Sequence, residues 1–355
     1  MMGSACILTN GKLDHIDAKT AHGLIRGTER FDIIGVVDTK HAGRDAGEVL
    51  DGRTRNIMVY SSIADLLDQS PAKPEFAIIG VALSGGVLPA DWHRTIIETL
   101  EHGISIVNGL HQPLGDNPDF KAAALQHQAT IQDIRKPRPI HEMHFYSGAI
   151  LSVETPIIAV LGMDCAIGKR TTARLIAEMC RRHGIRSEMI YTGQTGWMQG
   201  SRYGFIFDAT PNDFICGELE HAIVSCVRQA SPDLILIEGQ SGLRNPLGPC
   251  GSEFIVSGRA RGVILQHAPF RTYYDDLEKF KCRIPDVAEE IRLIELLGAE
   301  TLALTLNSEG GGEEAMIAQQ EKLTARLAIP VVRPLEEGVA ALLDVIKRFM
   351  QNASK

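Results

Sequence analysis

The residues with the clearest chemistry lie at 162–173, GMDCAIGKRTTA, between the apolar run PIIAVL and the helical pattern ARLIAEMCRRH. A glycine-bounded loop between a strand and a helix start suits phosphate: backbone N–H groups and the positive end of the helix dipole face an anion, and a lysine adds charge. Lys169 is that lysine, and Gly162, Asp164, Cys165, Ala166, Ile167, Gly168, Arg170, Thr171 and Thr172 complete the expected cradle. The usual pattern, G-x-x-x-x-G-K-[ST], ends in a hydroxyl that ligates magnesium. Here five residues separate Gly162 from Gly168, and Arg170 stands where the hydroxyl should be. Either Thr171 substitutes, or the loop grips a phosphorylated ligand by charge alone, without metal and without hydrolysis.

About 70 residues on, DLILIEGQSGLRNP carries an apolar strand ending in Glu238. Gln240, Ser241, Arg244 and Asn245 follow it into a loop at the carboxyl end of the strand, the edge where open α/β sheets bind ligands. In YTGQTGWMQG (191–200), Gln194 and Thr195 sit among glycines that permit close approach of backbone to a ligand. Asp208 and Asp213 come next in FDATPNDFICGELE, with Glu218 and Glu220 on an expected helix; Asp213 also suits a helix N-cap. His267 ends the strand in ILQHAP and reads equally as a general base or a core histidine. His141 and His144 form an H-x-x-H pair with no third ligand nearby, so no metal is expected there.

These residues need two sheets to position them. Apolar runs alternate with helical patterns from end to end, the mark of parallel strands joined by crossover helices. In the first part, strands are expected at 5–8, 32–37, 57–60, 76–83 and 104–109, with a helix at 90–102: a doubly wound, Rossmann-like domain over 1–133. Asp38 follows the second strand, where a dinucleotide fold keeps its ribose-binding acid, yet the first turn, TNGKLDH, lacks G-x-G-x-x-G. The turn SGG (84–86) reads as punctuation. A proline-rich, basic stretch interrupts the pattern, so 134–155 is the expected linker. A second α/β series, with strands at 156–162, 186–193, 233–239, 262–267, 301–307 and 329–334 and a last helix over 335–349, forms a P-loop NTPase-like domain at 156–355.

Composition narrows the class. The 355 residues are 44% hydrophobic and 23% charged, as in folded globular chains. A net charge of −8 opposes a broad phosphate-backbone footprint, so nucleic acid is not an expected partner. No apolar run reaches the length of a membrane span and no signal-peptide pattern opens the chain, which leaves a cytoplasmic protein with no membrane partner as the expectation. Seven scattered cysteines without C-x-x-C encode neither a disulfide framework nor a zinc site; all but Cys165 read as inert thiols.

GxDCAxGKRTT, TGQTG, a downstream D-x-x-x-x-D-F, EGQSGLRNP and LQHAP, in this order, resemble the DUF1611 family, whose members join a Rossmann-like N-terminal domain to a P-loop C-terminal domain. The likeness extends to VVDTKHAGRDAGEVLDG (36–52) and DIRKP (133–137). The GQSGLRNP version resembles D-glutamate N-acetyltransferase, which implies transfer of the acetyl group of acetyl-CoA to the amino group of an acidic amino acid. The five-residue loop spacing also resembles dethiobiotin synthetase, which implies the alternative of an ATP-dependent kinase or ligase using Mg; a metabolite-binding regulator is the third reading.

Chemically, a P-loop with Lys169 and Arg170 could clamp the pyrophosphate and 3′-phosphate of coenzyme A without magnesium. Acetyl transfer then requires a base for the ammonium group, donors for the oxyanion and cations for two substrate carboxylates. Glu238, Asp208 and His267 are the candidate bases. Gln194 and Gln240 are candidate oxyanion donors, and Arg202, Arg244 and Arg271 candidate clamps, with Thr195, Asp213, Ser241 and Asn245 as further substrate contacts. A homo-oligomer acting on a small molecule is expected.

Overall fold

The structure is a computed structural model describing residues 2–353. Two compact units emerge: one comprises residues up to Arg138 together with Gln194–Ser201, the other Pro139–Gly193 together with residues from Arg202 onward.

Among the described residues the first unit holds a parallel sheet of six strands, β1 (Gly3–Leu8), β2 (Phe31–Val37), β3 (Val59–Tyr60), β4 (Phe76–Ile79), β5 (Ser105–Asn108) and β6 (Ile131–Asp133), in the order β3-β2-β1-β4-β5-β6. That is the strand order of dinucleotide-binding folds. Five of the strands lie where the apolar runs predict them. The sixth, Ile-Gln-Asp, is three residues long and half-buried, too short and polar to give an apolar run. Both faces of the sheet are covered. Leu8, Ala77, Ile79, Ile106 and Trp92 pack on one side, and Ile7, Ile78, Val107, Leu24 and Phe31 on the other. Burial on both faces is why these strands read as continuous apolar runs rather than alternating ones.

Asp38 does not lie open to a ribose. It is fully buried, accepts hydrogen bonds from Thr9 Oγ1 (2.6 Å), Leu13 N (3.0 Å) and the N–H groups of Lys40 and His41, and lies 2.8 Å from His41 Nδ1. Its carboxylate is spent on holding the turn after β1, where a nucleotide fold would use glycines.

In the second unit, a parallel sheet contains β7 (Ile157–Gly162), β8 (Ser187–Tyr191), β9 (Tyr203–Gly204), β10 (Leu234–Glu238), β11 (Gly262–His267), β12 (Glu300–Leu306) and β13 (Val331–Val332), in the order β13-β12-β11-β7-β10-β8-β9. The chain lays β8 and β9 on one side of β7, returns to insert β10 between β7 and β8, then crosses to β11 on the other side of β7, so the order reverses there. Ligands of open α/β sheets bind at the carboxyl ends of strands flanking such a reversal. β9 is an addition to the expected six strands, two residues at the sheet edge. The last helix starts later than its apolar spacing suggests: Gly338 is left-handed (φ 78°), Ala340–Leu342 is a 3-10 turn, and the α-helix occupies Leu343–Ala353.

The stretch after Arg138 is tied to the helix Asn212–Ala230 by two buried acids. Glu218 accepts from His144 N (2.7 Å) and also meets His144 Nδ1 (3.0 Å). Glu220 accepts from Ser147 N (2.6 Å), Ser147 Oγ (2.8 Å) and Ile150 N (3.2 Å). His144 therefore serves the strap rather than a metal, and its ring stacks on His221 at 3.6 Å. Charge-assisted bonds to a buried carboxylate are each worth about 1.5–3 kcal/mol when removed. Glu220→Gln keeps the shape, loses the charge and turns one acceptor into a donor facing a donor; denaturant unfolding followed by circular dichroism is expected to show a loss of about 2 kcal/mol.

Candidate functional site

The strand Ile157–Gly162 is buried along its whole length, and the helix Lys169–Arg182 begins where the loop ends, so the motif at 162–173 is a strand, loop and helix start as its residues require. The loop is held from several sides. Asp164, fully buried, accepts from Cys165 N (2.7 Å) and Asn245 Nδ2 (2.8 Å) at one oxygen, and from Arg271 Nη1 (2.9 Å) and Asp275 N (2.9 Å) at the other. Arg271 Nη1 also donates to Cys165 O (2.9 Å), and Asn307 Nδ2 donates to Ile167 O (3.1 Å). Ala166 takes a left-handed conformation (φ 53°), which costs energy for any residue with a Cβ and persists where neighbours enforce it.

Lys169 bonds the carbonyls of Asp164 and, at 2.8 Å, Ser241. The loop after β10 thus lies against the end of β7 and the phosphate loop, and two glycines make that approach possible: Gly239 against the strand and Gly242 against the loop. A Cβ on Gly239 would lie 2.2 Å from Val160 O, and one on Gly242 would lie 2.8 Å from Gly162 O. Cys165 Sγ, half-buried, is 3.5 Å from Ser241 Oγ.

Glu238 ends β10, which pairs directly with β7. It is 4% exposed, and Oε2 accepts from Thr192 N (3.1 Å). Burial pushes its pKa above the usual carboxylate range, opposed by the charges of Arg170 and Lys169 and by the N–H groups of Thr192 and Gly193. Gln240 Nε2 donates to Thr192 Oγ1 (2.9 Å), which in turn donates to Glu238 O (2.7 Å). A buried acid with a raised pKa, within the field of two cations beside an anion-binding loop, is a candidate proton acceptor.

The hydroxyl that usually ligates a divalent ion beside such loops is absent from position 170. Position 170 offers a guanidinium, the Thr172 hydroxyl donates to Gln266 Oε1 (2.7 Å) as does that of Thr305 (2.6 Å), and among the described residues no group of three acid, histidine or cysteine side chains is arranged around a metal position. Thr171, half-buried, is the hydroxyl that remains.

Several expected roles change. Arg271 cannot serve as a free substrate clamp, since Asp164 and Glu309 neutralise it. Arg244 is likewise paired, with Glu290 (2.7 Å) and Glu289 (2.9 Å). Arg202 turns away from the carboxyl edge: its side chain stacks on Tyr203 and reaches Gln229 in the last turn of the helix that leads back to the start of β10. Gln194 and Thr195 are buried and belong to the first unit, where Thr195 Oγ1 meets Thr20 Oγ1 (3.1 Å). Asp208 and Asp213 are exposed; Asp213 sits inside the first helical turn rather than at the cap, which is Pro211. Asn245 is fully buried on Asp164. Asn307 and Gln266, unremarked in the sequence, carried the same signal as His267: polar residues ending apolar strands at one sheet edge.

Residues 144–343 match the P-loop domain DUF1611_C and residues 39–137 the Rossmann-like domain DUF1611_N, both described as domains of unknown function. The chain belongs to the DUF1611 family. A DUF1611 protein from Anabaena variabilis, known from its crystal structure, superposes with a TM-score of 0.87 at 27% identity, over 97% of this chain and 99% of that one. Among curated relatives, the D-glutamate N-acetyltransferase of Tritonibacter scottomollicae is 28% identical over 76% of this chain and 80% of its own length. That of a Pseudoalteromonas species is 27% identical over 75% and 79%. No described helix of this DUF1611 protein is long and apolar enough to cross a membrane.

His267 ends β11 with Nδ1 buried and, among the described residues, without a hydrogen-bond partner. Burial pushes its pKa down to about 4, with Asp286 pulling weakly the other way. The ring is neutral at physiological pH and too weak a base to be the first choice for an ammonium proton. Because the unfolded chain takes up this proton first, stability is lost as pH falls from the free-histidine value near 6.5 towards about 4. Replacing His267 by Asn is expected to remove about 2 kcal/mol of the wild-type loss between pH 7.5 and 5, measured by urea titration at each pH.

Proposed function

We propose that this DUF1611 protein is an N-acetyltransferase that moves the acetyl group of acetyl-CoA to the amino group of an acidic amino acid, with D-glutamate as the first acceptor to test. The observation that carries the reading is a phosphate loop with two successive cations, Lys169 and Arg170, in place of the lysine and metal-binding hydroxyl of nucleotide hydrolases. The names of the two curated relatives support it and supply the acceptor.

In this reading Lys169, Arg170 and the N–H groups at the start of the helix hold the phosphates of the coenzyme. Glu238, ionised, accepts a proton from the ammonium group, which frees the nitrogen lone pair to bond the thioester carbonyl carbon; the carbon–sulfur bond breaks and the departing sulfur is protonated. Gln240 and backbone N–H groups of its loop are the donors for the oxyanion. Arg244 and Arg271 are not assigned to the acceptor carboxylates, because acids of the protein already neutralise them.

Incubation of the purified protein with acetyl-CoA and a panel of D- and L-amino acids, with free thiol as the readout, tests the reading. Thiol release with D-glutamate that survives EDTA is expected. Product formation that instead needs ATP and magnesium, with ADP released, would replace the reading with an ATP-dependent kinase or ligase.

Glu238→Gln is expected to lower kcat by about 10²–10⁴-fold while coenzyme A still binds by calorimetry. In the wild type, kcat/KM should rise with pH through the elevated pKa of Glu238 and then level off, because the ionised form is the base. The variant should lack that limb. A joint loss of binding and rate would instead make Glu238 an organiser of the Thr192–Gln240 bonds.

A further inference from the structure

Asp164 lies inside the phosphate loop yet is closed to any ligand. Its side chain is 1% exposed, and both carboxylate oxygens are filled by the four donors described above. Two of these donors, Cys165 N and Asp275 N, are backbone, which ties the loop to the segment after β11 through the main chain. The other two, Asn245 and Arg271, come from the loops after β10 and β11. Arg271 extends the connection, since its other arm reaches Glu309 beyond β12 and Nη1 also holds the Cys165 carbonyl. The loop's shape is therefore set by groups 81 and 107 residues away in the chain.

A short loop such as DCAIG has many conformations of similar energy in isolation, and it includes a left-handed alanine that is costly there. Binding phosphate requires its remaining N–H groups, other than that of Cys165 which Asp164 holds, to point inward together. The fraction of molecules in that conformation multiplies directly into apparent affinity.

We propose that Asp164 is a positioning residue: with Asn245 and Arg271 it holds the phosphate loop in its ligand-binding conformation before the ligand arrives. The proposal rests on the reading of 162–173 as a phosphate cradle, and not on acetyl transfer. Asn245 and Arg271, which their residue types suggest as substrate contacts, act through the loop.

The variants are Asp164→Asn, which keeps the shape and removes the charge, and Asp164→Asn with Arg271→Met, which leaves no buried charge alone should the single variant fold poorly. Circular dichroism checks folding, and calorimetry with coenzyme A and with ADP measures binding. If the competent loop falls to about one molecule in ten, Kd rises about 10-fold for whichever probe the wild type binds. KM for acetyl-CoA should rise in step, with kcat at saturation near the wild-type value and KM for the amino acid unchanged, because bound ligand restores the loop. A purely structural role gives the opposite pattern: fewer active molecules, hence lower kcat at unchanged KM. That pattern, or wild-type Kd in a folded variant, overturns the proposal. Wild-type protein that binds ADP and not coenzyme A would count against acetyl transfer alone, leaving the Asp164 comparison to be decided with ADP.

Discussion

Direct contact of two backbones at the carboxyl edge of the second sheet underlies the site. The loop after β10 lies on the phosphate loop so closely that a single added carbon on Gly242 would overlap a carbonyl oxygen, as one on Gly239 would against β7. Because no side chain intervenes, Lys169 can reach the Ser241 carbonyl and Asn245 can reach Asp164. The same closeness brings Glu238, on the neighbouring strand, within the field of Lys169 and Arg170. Adding bulk there would separate anion-binding loop, acid and cations together.

Charge around the site is arranged in closed pairs more than in open ones. Arg271 is paired with Asp164 and Glu309, and Arg244 with Glu289 and Glu290, although Arg244 Nη2 is buried without a hydrogen-bond partner among the described residues. Buried ion pairs of this kind add little net stability over apolar replacements, yet breaking one leaves an uncompensated charge. Their value here is geometric, since each fixes one loop against another. Glu238 differs: its burial, which favours the neutral form, outweighs the nearby cations that favour the anion.

The local parts of this architecture could be read from the chain. Strands buried on both faces give unbroken apolar runs, so eleven of the thirteen described strands were anticipated, and the phosphate loop identifies itself by spacing within twelve residues. β6 and β9 escaped because two or three residues carry no period. Side-chain roles were harder, since they depend on partners far along the chain. Nothing beside Arg271 announces Asp164, and nothing beside Arg244 announces Glu289 and Glu290. Arg202 misled because its closeness in sequence to the glycine-rich segment says nothing about which way its side chain turns. Asp38 stands where a ribose-binding acid belongs, but without the glycines of a nucleotide turn the β1 loop needed a carboxylate to hold it.

The excursion of Gln194–Ser201 has a consequence for how the chain can be divided. These eight residues leave the second sheet after Gly193, contribute Met198 to the core of the first unit and a ring contact between Trp197 and Phe31, and then return to begin β9. Gln199 donates to the carbonyls of Gly23 and Gly27. A gene cut at the proline-rich stretch would therefore yield an N-terminal fragment with a hole in its core and unpaired carbonyls, and a C-terminal fragment carrying an orphaned apolar helix. The two halves resemble separate modules in their sheets, but the polypeptide is stitched through both, so exchange of either half between relatives must carry this short segment with its host.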